Sequence, residues 1–212
     1  MNTKQRIVLT SLNLFNAEGE ANVTTVDIAN ELDISPGNLY YHYKGKEPII
    51  KILFDQYETK FVELLSAPAD AEFNTEQFWY YLHLMFEEIY NFRFFYENIH
   101  DILHRIPDLQ KRFEKLLALQ GSTTELLLLT LAERQAIITP ETEISHLAKS
   151  ISITFTHWLS FNRLTAANQK PELILHQGVF HVMSLLAPHL STPHQYIYAQ
   201  AREILQRVTQ TP

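Results

Sequence analysis

The stretch that decides the fold runs from Thr24 to Ile49, TTVDIANELDISPGNLYYHYKGKEPI. Thr24 or Thr25 can cap the start of a short helix, because a threonine hydroxyl accepts from a first-turn backbone N–H that has no partner inside the helix. Asp27, three residues after Thr24, stands in for the Glu of a capping box. Val26, Ile28, Ala29 and Leu32 are spaced to face inward, and the helix is expected to stop near Asp33. Ser35-Pro36 then reads as a cap followed by proline at the first helical position, opening a second helix of barely two turns that runs to about Tyr43. Two short helices joined through Leu32-Asp33-Ile34 predict a helix-turn-helix.

In such a motif the second helix reads DNA. One side must lock against its scaffold while the other enters a major groove about 12 Å wide. Ile34, Leu39 and Tyr43 can supply the locked side. Pro36, Gly37, Asn38, Tyr41 and His42 then face outward, with Tyr40 between the two sides. Gly37 permits close backbone approach, and the Asn38 amide offers a donor and an acceptor to a base edge. Phosphate contacts are expected from the hydroxyls of Thr25, Ser35 and Tyr41, from His42, and from Lys46 where the next helix starts, with Thr24 beside them.

Outward from this block the chain reads as helices throughout. One from about Lys4 to Ala17 precedes it, with Gly19 where a left-handed cap is needed. One from about Lys46 to Leu65 follows, tolerating Pro48 in its first turn. Ser66-Ala-Pro-Ala-Asp-Ala71 is a low-complexity connector. Beyond it, helices are expected to about Asn91, to about Arg105, over 107–136, 141–168 and 172–189, and from Pro193 to about Val208. The expectation is an all-α protein of nine to ten helices: a three-helix helix-turn-helix DNA-binding domain over 1–48, then a larger helical body over 49–212.

Composition excludes several other classes. With 212 residues, 46% hydrophobic and 19% charged, the chain can bury a sizeable core, and it has no run of about 18 apolar residues that could span a membrane. It has no cysteine, hence no disulfide or thiolate chemistry, and its amphipathic N-terminus does not read as a signal peptide, so a cytoplasmic location is expected. Five scattered glycines leave no phosphate-cradling loop, and no cofactor is expected. The net charge of −7 is unevenly placed. Residues 1–51 hold five Lys/Arg against six Asp/Glu, and the remainder twelve against eighteen, while 34–46 contain two lysines and no carboxylate. Charge alone does not predict DNA binding, yet it leaves a local patch free for it.

At these residues the chain resembles the TetR/AcrR family of bacterial transcriptional regulators. The resemblance rests on Thr24 to Ile49 with the preceding helix, and above all on Ile28-Ala29, Ser35, Leu39-Tyr40, His42 and Lys46-Glu47. Asp33 stands at a turn position where the family often has glycine, and Tyr43 where it usually has phenylalanine. Aspartate tolerates a left-handed backbone better than most residues, and tyrosine keeps the aromatic bulk. The resemblance implies a homodimer on a pseudo-palindromic double-stranded operator, acting as a repressor whose DNA affinity a small molecule controls, with 49–212 as the helical ligand-binding and dimerisation domain. It implies no enzymatic activity.

Residues 78–96, FWYYLHLMFEEIYNFRFFY, are densely aromatic, which fits either a plain core or a pocket for a hydrophobic, aromatic or acyl effector. His83, Phe86, Glu87, Tyr90 and Arg93 are the candidate ligand residues there, joined by His157, Trp158 and Phe161 from SISITFTHWLSFNRL. The family resemblance places that second segment between pocket and dimer seam. His100 and His104, in HDILH, superficially match the zincin pattern with Asp for Glu, but no third ligand follows by spacing and no metal is expected. A metal-dependent helical enzyme or a lipid-binding scaffold is the competing reading.

Overall fold

The computed structural model describes residues 1–66, 73–166 and 169–210. Positions 67–71 of the expected connector, and 167 and 168 at the expected end of the 141–168 helix, lie outside these. Among the described residues the chain forms eleven α-helices and no strand. They are α1 Thr3–Glu18, α2 Thr25–Glu31, α3 Pro36–His42, α4 Glu47–Leu65, α5 Thr75–Asn91 and α6 Arg93–Glu97, then α7 Ile99–Arg105, α8 Pro107–Glu133, α9 Glu141–Thr165, α10 Pro171–Leu186 and α11 Gln195–Gln210. The count exceeds the expectation because the helix predicted to end near Arg105 is two helices. The chain leaves helical geometry at Asn98 (φ −128°, ψ 28°), whose amide donates back to the Phe94 carbonyl at 3.5 Å and which gives α7 no side-chain N-cap. Elsewhere the helix starts follow the local signals. Asn2 and Gln5 close a capping box on α1, and Asn74 and Gln77 close one on α5.

The chain divides into two compact units. The first holds Met1–Lys60 and Asn91–Glu114, the second Phe61–Tyr90 and Lys115–Pro212. In the first, Ile7, Phe15, Ile28, Leu39 and Ile49 are buried beneath α1 to α4. An aromatic cluster joins Phe54 and Tyr57 of α4 to Phe92, Phe95, Tyr96 and Phe113, with ring centroids 5.2–6.3 Å apart in tilted, stacked and edge-on pairs. The C-terminal part of the aromatic stretch, residues 92–96, is thus committed to this core. A groove of about 690 Å³ lies between α1 and α4, beside Tyr43.

In the second unit α9, α10 and α11 pack together around Ile151, Phe155, Val182, Met183 and Leu186. Gly178 sets the closest approach. A Cβ built on it would stand 2.7 Å from a Phe86 ring carbon and 2.9 Å from Trp158, so α10 can lie this near α5 and α9 only with hydrogen at that position. No helix among the described residues is long and apolar enough to cross a membrane.

Candidate nucleic-acid interface

The helix-turn-helix is assembled by local bonds. The Thr24 hydroxyl accepts from the Asp27 N–H at 3.2 Å, and the Asp27 carboxylate accepts from the Thr24 N–H at 2.8 Å and its hydroxyl at 2.7 Å. Those two donations from Thr24 hold the Asp27 carboxyl below its ordinary range. At the turn, Asp33 adopts φ +54°, while the N–H groups of Asp33 and Ile34 donate to Asn30 and Ala29 carbonyls at 3.1 and 3.0 Å. This is a Schellman closure with aspartate in the left-handed position. Ser35 caps α3 by accepting from the Asn38 N–H at 3.2 Å, and Pro36 occupies the first turn.

The two faces of α3 separate as follows. Leu39 and Tyr43 are buried and Ile34 half-buried, while Pro36, Gly37 and Asn38 are exposed. Tyr41 stands 82% exposed, and Tyr40 is more outward than its intermediate expectation, at 58%. The Lys44 ammonium lies 5.1 Å from the centre of the Tyr40 ring, a cation–π contact that steadies both at this edge. His42 is half-buried, packs edge-on against Tyr41 at 5.3 Å, and keeps a buried Nδ1. Thr24 and Thr25 stand exposed and half-exposed at the start of α2. Val26 is 47% exposed rather than inward, since its position on α2 turns it from the buried Ile28 and Ala29.

Lys46 has a partner that sequence alone does not reveal. Its ammonium lies 2.9 Å from the carboxylate of Glu20, which is fully buried, and donates to the Glu20 carbonyl at 2.6 Å. The second Glu20 oxygen meets Arg105 at 2.5 Å, and Arg105 also holds Asp101 at 2.9 Å. Glu20 is therefore a buried anion shared by two cations far apart in the chain. Only the pairing of Glu20 with a 3-10 turn after Gly19, at φ +86°, brings it there.

The ligand candidates are dispersed. Arg93 opens α6 in the first unit, and the others belong to the second. Phe86 is fully buried against Phe155 at 4.9 Å; Trp158 is buried and donates its indole N–H to the Ile174 carbonyl at 2.9 Å. Glu87 is exposed and Tyr90 half-buried. His157, Trp158 and Phe161 line an open groove of about 370 Å³ with Ile153, Thr154, His181 and Leu185. His83 approaches His176 of α10, ring nitrogens 3.4 Å apart, with its Nδ1 3.0 Å from the Trp79 carbonyl. Burial pushes both imidazoles below their ordinary range, outweighing the upward pull of the Trp79 carbonyl on His83. His100 and His104 are exposed on α7, and no group of three or more metal-ligating side chains converges among the described residues.

The family model described as "Bacterial regulatory proteins, tetR family" matches residues 7–51, and one described as "Bacterial transcriptional repressor" matches 56–198. The chain belongs to the TetR family. A TetR-family transcriptional regulator from Marinobacter aquaeolei VT8 is 30% identical over 97% of this chain and 99% of its own, with a TM-score of 0.86. The SmeT–triclosan complex, 16% identical over 90% of this chain and 92% of its own, shares the fold at a TM-score of 0.60. An uncharacterized HTH-type regulator of Bacillus subtilis (strain 168), YerO, is 41% identical over 54 residues, which span 26% of this chain and 19% of that protein. This TetR-family regulator thus pairs a family-typical DNA-binding block with a helical second unit.

Proposed function

We propose that the chain is a repressor that binds a pseudo-palindromic operator as a homodimer in the bacterial cytoplasm and releases it when a hydrophobic small molecule binds. Residues 1–48 act as the reading head and 49–212 as the ligand-binding and dimerisation body. The observation that supports this best is the α3 edge. Pro36, Gly37, Asn38 and Tyr41 stand exposed on a helix capped at its start by Ser35, while Leu39 and Tyr43 anchor it, so base-reading groups are presented without loss of order on binding. Thr24, Thr25, Ser35, Tyr40, His42 and Lys46 surround that edge as phosphate-side residues.

The dimer reading rests on an apolar strip. Ile153, Phe161 and Leu164 of α9 and Leu185 of α10 are exposed, Leu164 at 87%, which is unusual for a lone chain in water. The effector reading draws on His83, Phe86, Glu87, Tyr90, His157, Trp158 and Phe161 in the second unit, and on SmeT, a protein of this fold in complex with triclosan. The test is titration against the DNA upstream of the chain's own gene at two salt concentrations. Sequence-selective affinity that falls with salt is expected. Affinity indifferent to sequence, or absent at low salt, would overturn it.

A further inference from the structure

At one level of the second unit, three helices bring together polar atoms that the fold itself leaves without partners. They are the Tyr81 hydroxyl of α5, the Gln120 Nε2 and Thr124 hydroxyl of α8, and the Ser152 hydroxyl of α9, all buried and none in a well-formed hydrogen bond, although the Tyr81 and Thr124 hydroxyls approach each other. Gln120 and Thr124 are one turn apart, so they share a face of α8, and both residues are at least 99% buried. Thr124 lies near enough to Tyr81 to lower its phenol slightly, although burial dominates and pushes that phenol well above its ordinary range. Ser152 faces Gly121, the residue after Gln120: a Cβ built on Gly121 would meet the Ser152 hydroxyl at 4.0 Å and nothing closer.

The vacancy of these hydroxyls is selective. Thr130 of α8 donates to the carbonyl four residues back at 2.9 Å, and Ser150, Thr154 and Thr156 of α9 do so at 2.8–3.0 Å. Thr124 and Ser152 have the same option and do not take it. A buried polar group without a partner is destabilising, and four in one place are rare enough to call for an explanation. Gly121 also leaves room beside them that any larger residue would fill.

We infer that Tyr81, Gln120, Thr124 and Ser152 form the polar end of the effector site, and that they take an uncharged apolar molecule through an acceptor oxygen of carbonyl type, a ketone, ester or amide. This rests on the ligand-controlled reading above and specifies its ligand class. The amide nitrogen of Gln120 can only donate, and the three hydroxyls can each donate, so the cluster is rich in donors and wants an acceptor. All four groups are neutral, and a carboxylate or ammonium buried among them would lose its hydration with no opposite charge from this cluster in return. Phe155, three residues after Ser152, continues the same face of α9 and packs on Phe86, which supplies an aromatic wall for the apolar body.

The test uses the full chain, with melting and direct binding as readouts and decan-2-one, methyl decanoate, decanoate and decylammonium as probes. The ketone and ester are expected to bind saturably and raise Tm, and the two ions are not. Thr124→Val, Ser152→Ala and Gln120→Leu are each expected to weaken ketone binding about tenfold. Without any probe, Thr124→Val and Ser152→Ala are expected to raise Tm by about 2–4 °C each, because an unsatisfied group is removed. Gly121→Ala keeps the helix and is expected to weaken ketone binding by filling the space. The assignment falls if neither neutral probe binds, if an ion binds in preference, if the variants bind as wild type does, or if Thr124→Val and Ser152→Ala both lower Tm, which would show hydroxyls already satisfied in solution. None of these readouts involves DNA, so a failure here is distinct from a failure to bind the operator.

Discussion

At the scale of single residues, Tyr41 and Lys46 show how two neighbours in one motif can carry opposite burdens. Tyr41 is almost wholly exposed, so Tyr41→Ala should leave stability within about 0.5 kcal/mol of wild type. Operator affinity should fall by about 1–3 kcal/mol, and paired urea melts and DNA titrations measure both. Lys46→Ala should instead destabilise the fold by about 1–3 kcal/mol, because it leaves the buried Glu20 with Arg105 alone. Lys44 is the cleaner probe of phosphate contact: it is exposed, and Lys44→Ala should reduce the salt slope by about one unit without a change in urea midpoint. Asp33 at φ +54° has a similar lesson in the backbone. Asp33→Val should cost about 1–2 kcal/mol in a urea melt, because a branched Cβ collides with its own carbonyl there.

At the scale of elements, capping and close approach decide where helices begin and how they pack. The signals for α2 and α3 were local and therefore legible: Thr24, Asp27, Ser35 and Pro36 act within three residues of where they stand. The break between α6 and α7 was not, since Asn98 gives α7 no side-chain N-cap and the segment reads as one amphipathic run. Gly178→Ala should raise the intrinsic helix propensity of α10 by about 1 kcal/mol yet destabilise the protein, because the added methyl meets Phe86 and Trp158 inside 3.0 Å. A net loss of about 1–2 kcal/mol by denaturant melt is expected. The His83–His176 contact between α5 and α10 adds a pH dependence. Both folded imidazoles titrate below their unfolded value, so the native state takes up protons less readily than the unfolded one. Their contribution is present above about pH 6.5 and is lost as pH falls through the folded values. Melting temperature should therefore drop on acidification from pH 7.5 to 5, and His83→Gln with His176→Gln should flatten that drop.

At the scale of the whole molecule, the proposed function depends on two reading heads meeting one duplex. The exposed strip at Ile153, Phe161, Leu164 and Leu185 is the surface proposed to join two copies. Leu164→Glu should leave the monomer's melt nearly unchanged, since Leu164 is 87% exposed, and shift sedimentation from dimer to monomer. Operator affinity should fall with it, because each half-site is then bound without help from the other. A melt that collapses with no change in sedimentation would place Leu164 in the fold instead of the seam.

The chain's own order of residues determined the all-helical class, the helix-turn-helix and the face of α3 that looks outward. Each depends on bonds and spacings closed within a few residues, and such interactions survive whatever the rest of the chain does. Three-dimensional packing alone decided that Lys46 would answer to Glu20, that residues 92–96 would join Phe54 and Tyr57, that Thr124 would lie beside Tyr81, and that Gly121 would face Ser152. Those partners lie tens of residues apart, and no periodicity in one helix specifies which face of another it will touch. Burial, which turns a surface lysine into a structural cation and an ordinary hydroxyl into an unmet donor, is a property of the assembled core.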